Sequence, residues 1–133
     1  MIIDEHGTGI KSITSFGEDC QKLAKIALSN RLYVSGWELS YYLQRIIQSS
    51  TTQHTQSGIT LIFKDDKPVS VCLLAHGGEI NTFTRKAMRK NGLGKLAVNQ
   101  MMKYKPPVYN AYGHGNGVVG TSSFYKKCNV PIR

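Results

Sequence analysis

From residue 80 onward this 133-residue chain has no Asp or Glu at all, only ten Lys and Arg; residues 1–79 hold seven basic side chains and all eight acidic ones. Such a stretch disfavours small cationic ligands such as polyamines and draws anions: a phosphate-bearing ligand, a nucleic acid or an acidic protein face, against the plainer reading of a solvated basic exterior. Cysteine is also scarce. Cys20, Cys72 and Cys128 are odd in number, far apart and outside any Cys-x-x-Cys or His-x-x-x-His spacing. That excludes a disulfide scaffold or zinc site, leaves each as a small buried apolar residue, and gives no reason to expect a metal. No apolar run approaches the ~18–20 residues of a membrane span. The start Met1-Ile2-Ile3-Asp4-Glu5 lacks a leader's basic and apolar character, so a cytoplasmic protein without membrane contact is expected. With 41% hydrophobic and 19% charged residues, the composition fits one globular domain over residues 1–133 rather than disorder.

Periodicity gives the order of elements. Residues 8–16 alternate as a first strand, and Gly17-Glu18-Asp19 opens a helix carried by Leu23, Ile26 and Ala27 to Asn30. A second helix follows Ser35 as cap, with Glu38 three residues on and Leu39, Leu43 and Ile46 on its apolar stripe. Trp37 and Tyr41 read as core there, with a binding groove lined by Trp37, Tyr41 and Tyr42 as the alternative. Residues 49–57 form a Ser/Thr/Gln-rich loop. Residues 59–63 and 69–74 read as a hairpin turning at Asp65-Asp66-Lys67-Pro68, and residues 80–84 as a third short strand. Leu93, Leu96, Ala97, Met101 and Met102 then mark a helix to about Lys103, ended by Pro106-Pro107. A strand over 108–112, a glycine-rich connection and a short helix over 121–127 complete the chain.

The most informative piece is strand, basic loop Arg89-Lys90-Asn91-Gly92-Leu93-Gly94, helix. The first N–H groups of a helix have no intrahelical acceptor and sit at the positive end of its dipole, so a phosphate can occupy that end. Gly92 and Gly94 let the backbone approach a diphosphate, and Arg85, Lys86, Arg89, Lys90 and Lys95 add charge nearby. Neither a P-loop nor a Rossmann fingerprint is present. Taken alone, Arg-x-x-Gly-x-Gly is equally an ordinary turn before a helix.

Two motifs arriving in order give the stretch a context. Arg89-x-x-Gly92-x-Gly94, followed by Phe124-Tyr125-Lys126-Lys127-Cys128-Asn129-Val130, resembles the GNAT superfamily of acyl-coenzyme A-dependent N-acyltransferases. That family's pyrophosphate loop reads Arg/Gln-x-x-Gly-x-Gly/Ala, and its closing motif reads Phe-Tyr-x-Lys-x-Gly-Phe. Asn129 stands where glycine is usual, and Asn is the next best residue for a left-handed helix exit. The resemblance implies an α+β, GNAT-like fold: a mostly antiparallel twisted central sheet flanked by helices, here with a shortened C-terminus. It implies acetyl-CoA as acyl donor, with Phe83 and Thr84 on a splayed strand facing the pantetheine arm, and Arg89, Lys90, Asn91, Gly92, Leu93, Gly94 and Lys95 holding the pyrophosphate. Tyr125 matches the tyrosine that protonates the departing thiolate. The chain departs from the pattern at Val118, where a coenzyme-contacting Asn is common, and in the glycine-rich turn at 113–117.

Transfer to nitrogen also needs a neutral amine. A lysine-like amine of pKa about 10.4 costs roughly 4.6 kcal/mol to deprotonate at pH 7. Candidates for the base are Glu79, His76, His114 or water, with Glu79 and His114 as plain exposed side chains in the alternative. The basic half leaves a protein lysine, a protein N-terminus or an aminoacyl-tRNA as acceptor. A rival expectation is a non-catalytic basic module of the same architecture, contacting nucleic acid or an acidic protein.

Overall fold

The computed structural model describes residues 1–36, 38–48, 57–75, 79–104, 110–111 and 121–130. Strands β1 (Ile2–Glu5), β2 (Ile10–Phe16), β3 (Gly58–Lys64), β4 (Lys67–Leu74), β5 (Glu79–Thr84) and β6 (Asn110–Ala111) form one sheet in sequence order. Every neighbouring pair is antiparallel except the last, β5 with β6. Helices α1 (Cys20–Ser29) and α2 (Glu38–Gln48) cover one face, and α3 (Leu93–Tyr104) and α4 (Thr121–Lys127) the other. The parallel pair follows from the crossover through α3.

The pleat sorts the two cores. Ile59, Leu61, Val71 and Leu73 meet Leu23, Ala27, Leu39 and Leu43 of α1 and α2. Ile62, Cys72, Leu74 and Ile80 meet Leu93, Ala97, Met101 and Tyr125 of α3 and α4. A sheet covered on both faces has strands that are apolar nearly throughout, which is why β3 and β4 show little alternation in burial.

Most elements fall where periodicity puts them, and the differences have local causes. Strand β1 is an addition: Ile2–Glu5 folds back on β2, pairing Ile2 with Thr14, after a turn in which Gly7 and Gly9 have φ of 110° and 72°. The hairpin loop tightens to Asp65-Asp66, both left-handed, and Lys67 and Pro68 belong to β4. Ser35 lies in the turn before α2, with Gly36 at φ 82° between them. Tyr41 is 58% exposed and so is not core. Trp37, His76, residues 49–56, Pro106-Pro107 and the glycine-rich connection, with His114 and Val118, lie outside the described residues.

Both α1 and α4 end in Schellman turns. At α1, Leu32 N–H donates to the Ala27 carbonyl (2.9 Å) and Arg31 N–H to Leu28 (3.1 Å), with Arg31 left-handed at φ 55°. At α4, Val130 N–H donates to Tyr125 (3.0 Å) and Asn129 N–H to Lys126 (3.0 Å), with Asn129 at φ 61°. Asn129 therefore does the work of the family's glycine. Arginine is poorly suited to the same conformation, so Arg31→Gly should stabilise the fold by about 0.5–1 kcal/mol in urea unfolding.

All three cysteines are free and buried. Burial pushes the Cys20 and Cys72 thiols from 9.0 up to about 12. The native state thus keeps protons that the unfolded chain gives up first. The stability these thiols contribute is whole below pH 9 and drains away as pH rises toward 12, by roughly 1 kcal/mol per pH unit for each. The melting temperature should fall across that window, and Cys72→Ala should flatten the fall; an unchanged slope would show the thiol is not protected. Among the described residues, no helix is long and apolar enough to cross a membrane.

Candidate active site

Strand β5 organises the site. Its pairing with β4 runs to its end, Ser70 opposite Thr84, while its pairing with β6 covers only Glu79 with Asn110 and Ile80 with Ala111. Asn81–Thr84 have no strand partner on that side among the described residues, and Thr82, Phe83 and Thr84 are half-buried. Alternation puts Glu79, Asn81 and Phe83 on the α1/α2 face, and Ile80, Thr82 and Thr84 on the α3/α4 face.

The open edge leads into the loop. After a 3-10 turn at Lys86–Met88, Lys90 and Gly92 take left-handed φ of 69° and 76°, and α3 begins at Leu93. Leu96 N–H donates to the Gly92 carbonyl (2.9 Å), making Gly92 the cap. The N–H groups of Leu93, Gly94 and Lys95 then have no acceptor inside the helix. Leu93 is buried and fixes the turn, whereas Lys86, Arg89, Lys90, Asn91, Gly92 and Lys95 are exposed. A side chain at Gly92 would start in open space, but a Cβ at Gly94 would lie 2.9 Å from Thr84 Oγ1 and 3.3 Å from Phe124 Cζ. Gly94 is thus a point where α3 lies close against Thr84 of β5 and Phe124 of α4.

The basic residues divide. Arg85, grouped by the sequence with the loop charges, is committed elsewhere: its Nε donates to the Pro68 carbonyl (3.0 Å) and Nη2 to Asn30 (2.9 Å), fastening β5 to β4 and α1. Arg89 donates through Nε to the Thr84 carbonyl (2.9 Å), its guanidinium 5.5 Å from the centre of the Phe83 ring. Lys86, Lys90 and Lys95 are exposed cations around the cap, and the first turn of α3 holds no acid. Nitrogen donors, positive charge and open space at Gly92 together fit a diphosphate.

Tyr125 reaches β5 from α4. It is 3% exposed, and its hydroxyl donates to Thr82 Oγ1 at 3.2 Å. Burial raises its pKa well above the ordinary 10.0, with the Thr82 hydrogen bond opposing the rise, so the phenol stays protonated through neutral pH. Phe124 packs edge-on against Tyr125 (5.1 Å between ring centres) and over Gly94. Cradle and phenol are one packing unit.

Glu79 is not an exposed loop charge. Only 8% exposed, it accepts a hydrogen bond from the Tyr42 hydroxyl at Oε2 (3.1 Å) and from Asn81 Nδ2 at Oε1 (3.4 Å). The carboxylate lies on the face opposite Tyr125. Thr82, Asn81 and Tyr42 were not singled out as partners of these two groups by sequence reasoning. The period of two along β5 would have found the first two; Tyr42, 37 residues from Glu79, carries no local signal.

No protein-family model matches the sequence, and no curated protein matches it. Among solved structures, a possible acetyltransferase from Clostridium difficile 630 aligns over 92% of this chain and 90% of its own, with TM-score 0.54 and 12% identity. This chain has the GNAT fold. A GCN5-related N-acetyltransferase from Kribbella flavida aligns over 77% of this chain at 21% identity (TM-score 0.44). The ribosomal alpha-N-protein acetyltransferase RimL, in complex with coenzyme A, aligns over 77% at 12% (TM-score 0.46). The matched region spans 38% of the Kribbella flavida protein and 67% of RimL.

Proposed function

We propose that this chain, acting as a single domain over residues 1–133, transfers the acetyl group of acetyl-CoA directly to an amine nitrogen, with Tyr125 as general acid and Glu79 as general base. The observation that carries this reading is the layout of β5. A strand edge with no strand partner among the described residues is flanked by a carboxylate on one face and a phenol on the other, and it runs straight into the loop before α3.

Direct transfer suits that layout. The proton acceptor for the incoming amine and the proton donor for the leaving sulfur must approach one carbonyl carbon from different sides, and the sheet keeps them apart. Glu79, held by Tyr42 and Asn81, takes the amine's proton on the α1/α2 face. Tyr125 protonates the sulfur on the α3/α4 face. Backbone groups of Asn81–Thr84 hold the pantetheine arm and turn N–H toward the carbonyl oxygen as negative charge develops there. Leu93, Gly94 and Lys95 grip the diphosphate through their amides, with Arg89, Lys90, Asn91 and Gly92 forming the rim. When bound, acetyl-CoA supplies the activated acyl group.

The acceptor is an amine carried on an anionic surface: a protein lysine, a protein N-terminus or an aminoacyl-tRNA. Three free thiols and an acetyl-CoA requirement suit the cytoplasm. Calorimetry should show acetyl-CoA binding at micromolar Kd. Intact-mass analysis of an extract incubated with the protein and isotopically labelled acetyl-CoA should reveal the acetylated component. Exposed Lys86, Lys90, Lys95, Lys126 and Lys127 favour a second reading, a basic module without turnover. Salt-sensitive nucleic-acid binding with no heat from acetyl-CoA would establish it in place of the first.

A further inference from the structure

We infer that Thr82 is a positioning residue for Tyr125: its hydroxyl accepts the phenol's hydrogen bond before acyl transfer and donates one to the phenolate afterwards. This rests on the acyltransferase reading above.

The geometry centres on one oxygen. Thr82 is the middle residue of β5 on the α3/α4 face, opposite Cys72 of β4 in register, and the Tyr125 hydroxyl reaches it at 3.2 Å. Thr82 is half-buried while Tyr125 is 3% exposed, and the phenol meets β5 through this hydroxyl. Around Tyr125 the core is apolar, with Ile80, Leu74 and Val130 in the same cluster.

In the transfer, the amine nitrogen bonds to the carbonyl carbon and the C–S bond breaks, its electron pair going to sulfur. The amine's proton passes to Glu79, and the Tyr125 hydroxyl proton passes to the sulfur, giving amide and free thiol. Water then returns a proton from Glu79 to the phenolate. In the interval a negative oxygen sits in a site whose burial opposes charge. A threonine hydroxyl accepts or donates by rotating, so Thr82 serves both states without moving its backbone. Valine does neither.

The test compares Thr82→Val and Thr82→Ser in the full chain, using acetyl-CoA and a short acidic peptide with a free N-terminus and one lysine. Thr82→Val should lower kcat about tenfold with KM for acetyl-CoA unchanged, and Thr82→Ser should return kcat to within about twofold of the wild type. A second readout needs no acceptor. With tyrosines labelled at 13Cζ and the Tyr125 resonance assigned by its loss in Tyr125→Phe, that resonance should shift in Thr82→Val and return in Thr82→Ser. An unshifted resonance, a wild-type kcat in Thr82→Val, or a serine variant as slow as the valine variant overturns the inference. Failure of the wild type to bind acetyl-CoA in calorimetry overturns the reading beneath it, and the inference falls with it.

Discussion

Gly92→Asp should weaken acetyl-CoA binding about a hundredfold while changing the stability of the fold by less than about 1 kcal/mol. The two effects separate because nothing lies within 4 Å of a side chain starting at Gly92, so aspartate enters without a clash. The φ of 76° there is left-handed, a conformation that Asp and Asn tolerate better than other non-glycine residues. A carboxylate at a helix N-terminus gains roughly 0.3–1 kcal/mol from the dipole, which offsets the backbone strain. A diphosphate in the same place feels the opposite sign. Two like charges about 4 Å apart near a protein surface repel by about 4 kcal/mol, and salt leaves roughly 3 of that, about two decades in Kd. Gly92→Asn has the same shape and no charge, so it should bind acetyl-CoA within a few-fold of wild type. If the two variants bind alike in calorimetry, the cap is not an anion site.

The turn into α3 was legible in the sequence because its physics is local. Glycines at 92 and 94, basic neighbours and the apolar spacing of α3 lie along one short stretch, and the glycines and that spacing constrain the backbone directly. The same holds for Asn129, whose left-handed exit could be argued from residue type. Contacts made across the fold could not be read in this way. Arg85 looked like one more loop cation, yet its two carbonyl acceptors, Pro68 and Asn30, are 17 and 55 residues away. Glu79 looked exposed because it begins a strand after two glycines. What buries it is α2, whose Tyr42 turns inward while Tyr41 beside it turns out to solvent, a choice fixed by helix rotation on the sheet. Strand β1 escaped because four residues before a glycine turn carry too little pattern to mark a strand; only the edge of β2 gives them a partner.

Tyr125→Phe should lower kcat about a hundredfold and leave KM for acetyl-CoA within twofold. General acid catalysis by a positioned side chain contributes about 10²–10⁴-fold, and the phenol is the group proposed for it on the α3/α4 face. Binding survives because the cradle's amides, Gly94 and Phe124 keep their packing when one oxygen is removed. Stability should drop by about 1 kcal/mol, the usual net worth of a hydrogen bond, since Thr82 is only half-buried and its hydroxyl can turn toward water. The pH profile adds a check with a definite sign. An acid must be protonated to act, and burial holds this phenol protonated well above its ordinary 10.0, so the wild type should show no alkaline loss of kcat from Tyr125 below about pH 10. In the phenylalanine variant the sulfur departs without its proton, and a donor thioester with a more acidic thiol should narrow the gap to wild type. A phenylalanine variant with wild-type kcat would make Tyr125 a packing residue of α4 and leave proton delivery to water at the open edge of β5.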